Sequence, residues 1–236
     1  MSKYYYPPSS VSAYGYWMVA DASQPAGDLY FLLLPLLAAI PFSWSLLSER
    51  RSGYAAHLAA RVGKTRYLVA KHAAAFIAGG TAAAVPLILN FVLCICFAPL
   101  LVPTVQAITM FGVYEDALWS IFFYNLPLLY CGLRTALVFL FAGLWASAVM
   151  ALSGMVKSRI ALLLLPYLFL VLLRMLEQSI LYTLFELREA LTPFFYLRTV
   201  PIGSQYTSAW VIALEFAVMG AFALAVLLVR RREDFL

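Results

Sequence analysis

Residues 73–114 read "AAAFIAGGTAAAVPLILNFVLCICFAPLLVPTVQAITMFGVY", without a single Asp, Glu, Lys or Arg. A helix needs about 20 apolar residues to cross a bilayer, so this run holds at least one crossing. Lys71 and His72 close it on one side, Glu115 and Asp116 on the other. The rest of the chain agrees. Of 236 residues, 64% are hydrophobic and 11% charged, against about 25% charged in a soluble domain. The expected class is an all-α integral membrane protein.

Working outward, five apolar segments read as spans of one transmembrane domain covering residues 1–236: about 29–48, 68–98, 135–156, 160–176 and 209–229. Two further pieces are too short or too broken to cross. Residues 117–133 carry Pro127 in the middle, and residues 180–197 carry Glu186, Arg188 and Glu189. Both fit re-entrant helices, which lipid tolerates only where protein or a cavity surrounds them.

Lys and Arg set the orientation. If the 49–72 loop, the 157–159 turn and the C-terminus face the cytoplasm, that side holds Arg50, Arg51, Arg61, Lys64, Arg66, Lys71, Lys157, Arg159, Arg230, Arg231 and Arg232. The other side holds Lys3, Arg134, Arg174, Arg188 and Arg198, an eleven-to-five bias in the direction of the positive-inside rule. A second crossing within 73–114 would reverse everything downstream, so one is assigned. The net charge of +5 is then a matter of topology rather than nucleic-acid binding. Five crossings with a cytoplasmic C-terminus put the N-terminus outside. Residues 1–28 hold no apolar stretch to carry it there, so either a span lies ahead of residue 1, the preferred expectation, or another subunit fills the vacant helix position.

Gly63-Lys64-Thr65 imitates the tail of a phosphate loop, G-x-x-x-x-G-K-[ST]. The first glycine would stand at position 58, which is Leu58, and no strand precedes it. The chain itself is not expected to bind or hydrolyse ATP. Residues 53–62, "GYAAHLAARV", are alanine-rich and helix-prone, with Tyr54, Leu58 and Arg61 at helical spacing on one side.

The stretch "FLLLPLLAAIPFSWSLLSERRSGYAAHLAARVGKTRYLVAKHAAAFIAGG" (31–80) resembles the permease subunit of bacterial type-2 ABC exporters. A proline-containing span ends in an acidic-basic-glycine turn, here Glu49, Arg50 and Gly53. A short helix follows, and an R…Y…K segment, here Arg61, Tyr67 and Lys71, leads into a span of small residues. "FFYNLPLLYCGLRTALVFLFAGLWASAVMALS" (122–153) and the 177–197 piece also fit that family, as its extracytoplasmic helices. The resemblance implies a six-span architecture, here lacking its first span, and a coupling helix at about 53–62. Gly53, Tyr54, Ala56, His57, Leu58 and Arg61 would dock on a separate ABC ATPase dimer that binds ATP and Mg. It further implies a second permease copy or a sister permease, surrounding membrane lipids, a multi-pass location in the bacterial cytoplasmic membrane, and export of a peptide, lipid-like or antibiotic substrate. Two other readings are an accessory membrane protein without its own transport path and an intramembrane enzyme.

Ionisable residues within apolar sequence are costly and face the protein interior. Glu215 lies about 10 Å into the last span. Arg174 and Glu177 stand i, i+3 and can pair across a turn. Glu215 with Arg174 or Arg134 makes a structural ion pair, or Glu215 lines a transport path; both readings stand. Asn90 reads as glue between helices. Ala75-Gly79-Ala83 and Gly143-Ser147-Ala151 are small-residue stripes that allow close helix approach. Cys94, Cys96, Cys131, His57 and His72 show no metal-ligand spacing, and no acid/histidine constellation suited to catalysis lies at membrane depth.

Overall fold

A computed structural model describes residues 12–20, 25–103, 113, 117–181, 183, 189–198 and 207–232. Its regular elements are helices: α1 (Ala13–Tyr16), α2 (Pro25–Ala39), α3 (Ser45–Arg51), α4 (Tyr54–Val62), α5 (Lys64–Phe97), α6 (Ser120–Asn125), α7 (Pro127–Ala151), α8 (Arg159–Leu176), α9 (Pro193–Tyr196) and α10 (Ala209–Arg232). A 3-10 turn, Leu152–Gly154, extends α7, and a π-helical turn, Glu177–Leu181, extends α8. Four helices among the described residues are long and apolar enough to cross a membrane: Lys64–Phe97, Pro127–Gly154, Arg159–Ile180 and Ala209–Arg230. The chain thus has the make-up of an all-helical membrane protein.

The elements differ from the expected ones in two places. The 29–48 stretch is not one helix: α2 ends at Ala39, a turn covers 40–44, and α3 starts at Ser45. Pro41 lacks the N–H that would continue the ladder. At 15 residues, α2 is about 22 Å long, short of a hydrocarbon core of about 30 Å. Residues 117–133 are not one re-entrant piece either. Pro127 opens α7 at the position where a missing N–H costs nothing, so 127–133 runs unbroken into the following long helix. Of the 180–197 piece only 180, 181, 183 and 189–197 are described, with α9 as its helix.

The chain divides into two compact units. The first comprises Met1–Leu32, Ala84–Leu137 and Glu177–Val211; the second comprises Leu33–Ala83, Val138–Leu176 and Ile212–Leu236.

In the first unit, residues 12–20 are strapped to the last turns of α5. Trp17, 1% exposed, donates its indole N–H to Leu87 O. Phe91 takes the rings of Tyr14 and Trp17 at 5.6 and 5.9 Å. Ala13 N donates to Pro99 O, Ser12 Oγ to Leu101 O, and Met18 N to Asn90 Oδ1. Asn90 therefore holds an N-terminal turn.

The second unit is built on close helix approach. A Cβ at Gly79 would lie 2.8 Å from Ala38 O, 2.9 Å from Ala142 O and 2.5 Å from the Ala146 Cβ. Only hydrogen fits there. Phe76 and Phe139 pack edge to face at 5.7 Å beside this seam. Ser147 Oγ donates to His72 O, Ser43 Oγ to Ala146 O, and Trp145 Nε1 to Pro35 O. At Gly79 the small-residue stripe serves packing within one subunit.

Candidate functional site

The elbow between α3 and α5 is made by two glycines. Gly53 has φ +74° and Gly63 φ +90°, backbone geometry that side-chain-bearing residues adopt at a cost. An added Cβ would meet nothing within 4 Å at either, so backbone angle alone selects glycine. Ser52 N donates to Ser48 O and Gly53 N to Arg50 O, closing α3, while Gly63 N donates to Ala59 O and closes α4. A nine-residue helix is thereby set off from both neighbours. Gly63-Lys64-Thr65 is the exit from that elbow, which accounts for its likeness to a phosphate loop.

Beneath the elbow lies a polar clamp. Glu49 Oε2 accepts from the Tyr67 hydroxyl at 2.5 Å, and Oε1 from Lys71 Nζ at 2.5 Å. Lys71 Nζ also stands 4.9 Å from the centre of the Phe42 ring, a favourable place for a cation. The clamp joins α3 to the first two turns of α5. Around it, Leu46, Ala55, Tyr67, Leu68, Ala75 and Met150 form a buried cluster, with Phe42, Leu58 and Ala59 packed against it.

This packing decides which way α4 faces. Ala55 is buried and Leu58 and Ala59 are half-buried, while Gly53, Tyr54, Ala56, His57, Ala60 and Arg61 are exposed. Leu58, grouped with Tyr54 and Arg61 on spacing alone, instead turns inward. At about 100° per residue, Ala55 and Ala59 fix the buried direction, and Leu58 stands about 80° from it, at the edge of the buried face. The display surface is Tyr54, Ala56, His57 and Arg61. Tyr54 is 53% exposed, a large ring held out on a short rigid ledge.

The other residues singled out by sequence do different work. Arg134 is 1% exposed. Its Nη1 donates to Tyr196 O and its Nη2 to Leu118 O, both at 3.0 Å, and its Nε to the Tyr130 hydroxyl at 3.2 Å. The Trp119 and Tyr130 rings lie 5.9 and 5.4 Å from the guanidinium. Its hydrogen bonds go to backbone and hydroxyl oxygens. Glu177, 2% exposed, accepts from Leu191 N at 2.6 Å, Thr192 N at 3.1 Å and Thr192 Oγ1 at 2.5 Å. Glu177 thus takes up amides at the start of α9 and Arg134 a carbonyl at its end, matching the sign of the charge at each helix terminus. Arg198 pairs with Asp28, an interaction the sequence reading lacked. Arg174 is half-buried in the last turn of α8, and Glu215 is half-buried within α10.

No protein-family model, curated protein or solved structure matches the chain. Its functional reading rests on its own residues.

Proposed function

We propose that the chain is the transmembrane permease subunit of a type-2 ABC exporter, with α4 as the helix that docks on a separate ATPase. One observation carries this reading. A short helix bracketed by two positive-φ glycines presents Tyr54, His57 and Arg61 to solvent while its other face is anchored in the cluster around Tyr67. Such a ledge suits force transmission, because a push on α4 reaches α3 and α5 through the buried cluster of Ala55 with Leu46, Tyr67 and Leu68. The bases of the elbow then mark the cytoplasmic side, together with the C-terminus. In this reading α2, the 40–44 turn and α3 together make a fifth crossing of the bacterial cytoplasmic membrane.

The ATPase dimer binds ATP and Mg and supplies the energy; this chain supplies the path for a peptide, lipid-like or antibiotic substrate, with a second copy or sister permease completing it. The test is site-directed crosslinking from His57→Cys in native membranes. A product containing an ATP-binding protein supports docking. Efficient labelling of the same position by an impermeant thiol reagent in intact cells places α4 outside and overturns the reading, and crosslinks only to non-ATPase proteins favour an accessory role.

A further inference from the structure

α3 is gripped on two opposite sides. At about 100° per residue, Leu46 and Glu49 lie on one side and Ser48 and Arg51 about 160° round from them. The first pair faces α5: Leu46 lies in the buried cluster with Tyr67 and Leu68, and Glu49 holds Tyr67 and Lys71. The second pair faces the link between α7 and α8. Ser48 Oγ accepts from Arg159 Nη2 at 2.8 Å, and Arg51 Nη2 donates to Lys157 O. Trp44, the N-cap of α3, stands one turn before Ser48 on the same side. The centre of its ring lies 4.7 Å from the Arg159 guanidinium, and the ring is itself held by a bond from Nε1 to Ile40 O. Three contacts thus tie α3 along its length to residues 157–159.

The same link is held from α10. Arg230 donates through Nη1 to Ser153 Oγ at 3.1 Å and through Nη2 to Ala151 O at 2.5 Å. A Cβ at Gly154 would collide with the Arg230 guanidinium and lie 3.1 Å from Arg50 Nη1, so the link passes these two side chains at a residue that has none. Met155 N donates to Leu152 O and Leu162 N to Ser158 O, which makes the link a tight turn running straight into α8. α8 itself is thinly packed: Leu162 and Leu170 are its buried side chains, and the rest are half-buried or exposed. A helix with few buried contacts is placed by its ends and moves at low cost.

We propose that residues 152–159 are a relay: displacement of α3 passes through Trp44, Ser48 and Arg51 to Arg159 and the turn, and shifts the first turns of α8. Ser48 and Arg159 are its positioning residues, and Gly154 leaves room for Arg50 and Arg230 beside the turn. The relay rests on the docking reading for the source of the push on α4; the tether between α3 and α8 does not. It gives the α4 ledge a second output besides α5, one that reaches a helix of membrane-spanning length.

Hydrogen–deuterium exchange of the full chain in nanodiscs tests the tether. S48A, 111 positions from Arg159, should speed exchange of the amides of residues 160–165 by about fivefold, the loss of one net hydrogen bond of about 1 kcal/mol. S48T, which keeps the hydroxyl, should not. R66Q, at an exposed position in the first turn of α5, should leave those amides unchanged. Unchanged exchange at 160–165 in both S48A and R159Q overturns the tether, and the relay with it. The relay is read in native membranes, with photocrosslinking from position 57 reporting docking. In a C96A background, ATP with Mg should change the rate at which S158C, at an exposed position, is labelled by a maleimide. S48A and R159Q should abolish that change and leave the crosslink from position 57 intact. A labelling change that persists undiminished in both, with the crosslink intact, overturns the relay. Loss of the crosslink in the otherwise wild-type chain overturns the docking reading instead, while the effect of S48A on exchange still supports the tether.

Discussion

Two charge clusters, one in each unit, are satisfied in different ways. In the first, Arg134 and Glu177 are sealed in, and their bonds go largely to backbone carbonyls and amides of residues 118 and 191–196. In the second, Glu49 and Lys71 satisfy each other across two helices, and an exposed ledge is built over them. Charge spent on backbone groups fixes a local shape. Charge spent on another side chain fixes a shape that presents something. The difference separates scaffold from candidate site more sharply than depth in the sequence does.

Breaking the first arrangement should cost most. Arg134→Ala leaves the Tyr196 and Leu118 carbonyls to find other donors, and bonds to a charged group are worth about 1.5–3 kcal/mol each. A loss of at least about 3 kcal/mol is expected in detergent unfolding. Arg134→Lys should recover little of it, since one ammonium cannot span three directions. Stability near wild type in R134K would show that positive charge, not the guanidinium fork, is what this region needs.

The clamp should cost less in stability and more in coupling. Glu49→Gln removes the charge facing Lys71 and weakens both bonds, lowering stability by about 1–3 kcal/mol. If the chain acts as the proposed permease, transport should fall by a larger factor than the amount of protein in the membrane. Gly53→Ala probes the left-handed elbow alone, where strain of about 1–2 kcal/mol is expected from φ because the space is open. Gly53→Asn should be milder, as asparagine tolerates that region; matching losses in thermal unfolding would deny that φ is the cause.

The smallest structural effect belongs to the display face. Tyr54→Ala, His57→Ala and Arg61→Ala should each shift stability by no more than about 0.5 kcal/mol, while Leu58→Ala, packed against the core cluster, should cost more. Equal unfolding midpoints for L58A and Y54A would contradict the assigned facing of α4.

α5 and α7 were legible because an uncharged run of 20 or more residues admits few other readings; α8 and α10, which hold Arg174 and Glu215, were legible from the apolar residues around those charges. Pro127 was legible as a break, but its role as a helix start depended on whether 120–125 and 127–151 continue one another. The Glu49–Tyr67–Lys71 clamp joins residues 18 and 22 positions apart, and no local periodicity records that meeting. Tyr54, Leu58 and Arg61 share a face on spacing, yet the two alanines that seat α4 rotated that face by a fraction of a turn. Arg134 and Glu177 were legible as interior charges. Their partners were not, because main-chain carbonyls and amides carry no mark in an amino-acid sequence.

The central claim is that α4 is a docking surface for an ATPase on the cytoplasmic side. It is tested most directly by photocrosslinking from position 57 in native membranes, followed by mass-spectrometric identification of the adduct. The account predicts a protein with a complete phosphate loop, captured from His57 and Arg61 but not from the inward position Leu58. Capture of lipid or of an extracytoplasmic protein from position 57, with no ATPase among the products, would contradict it.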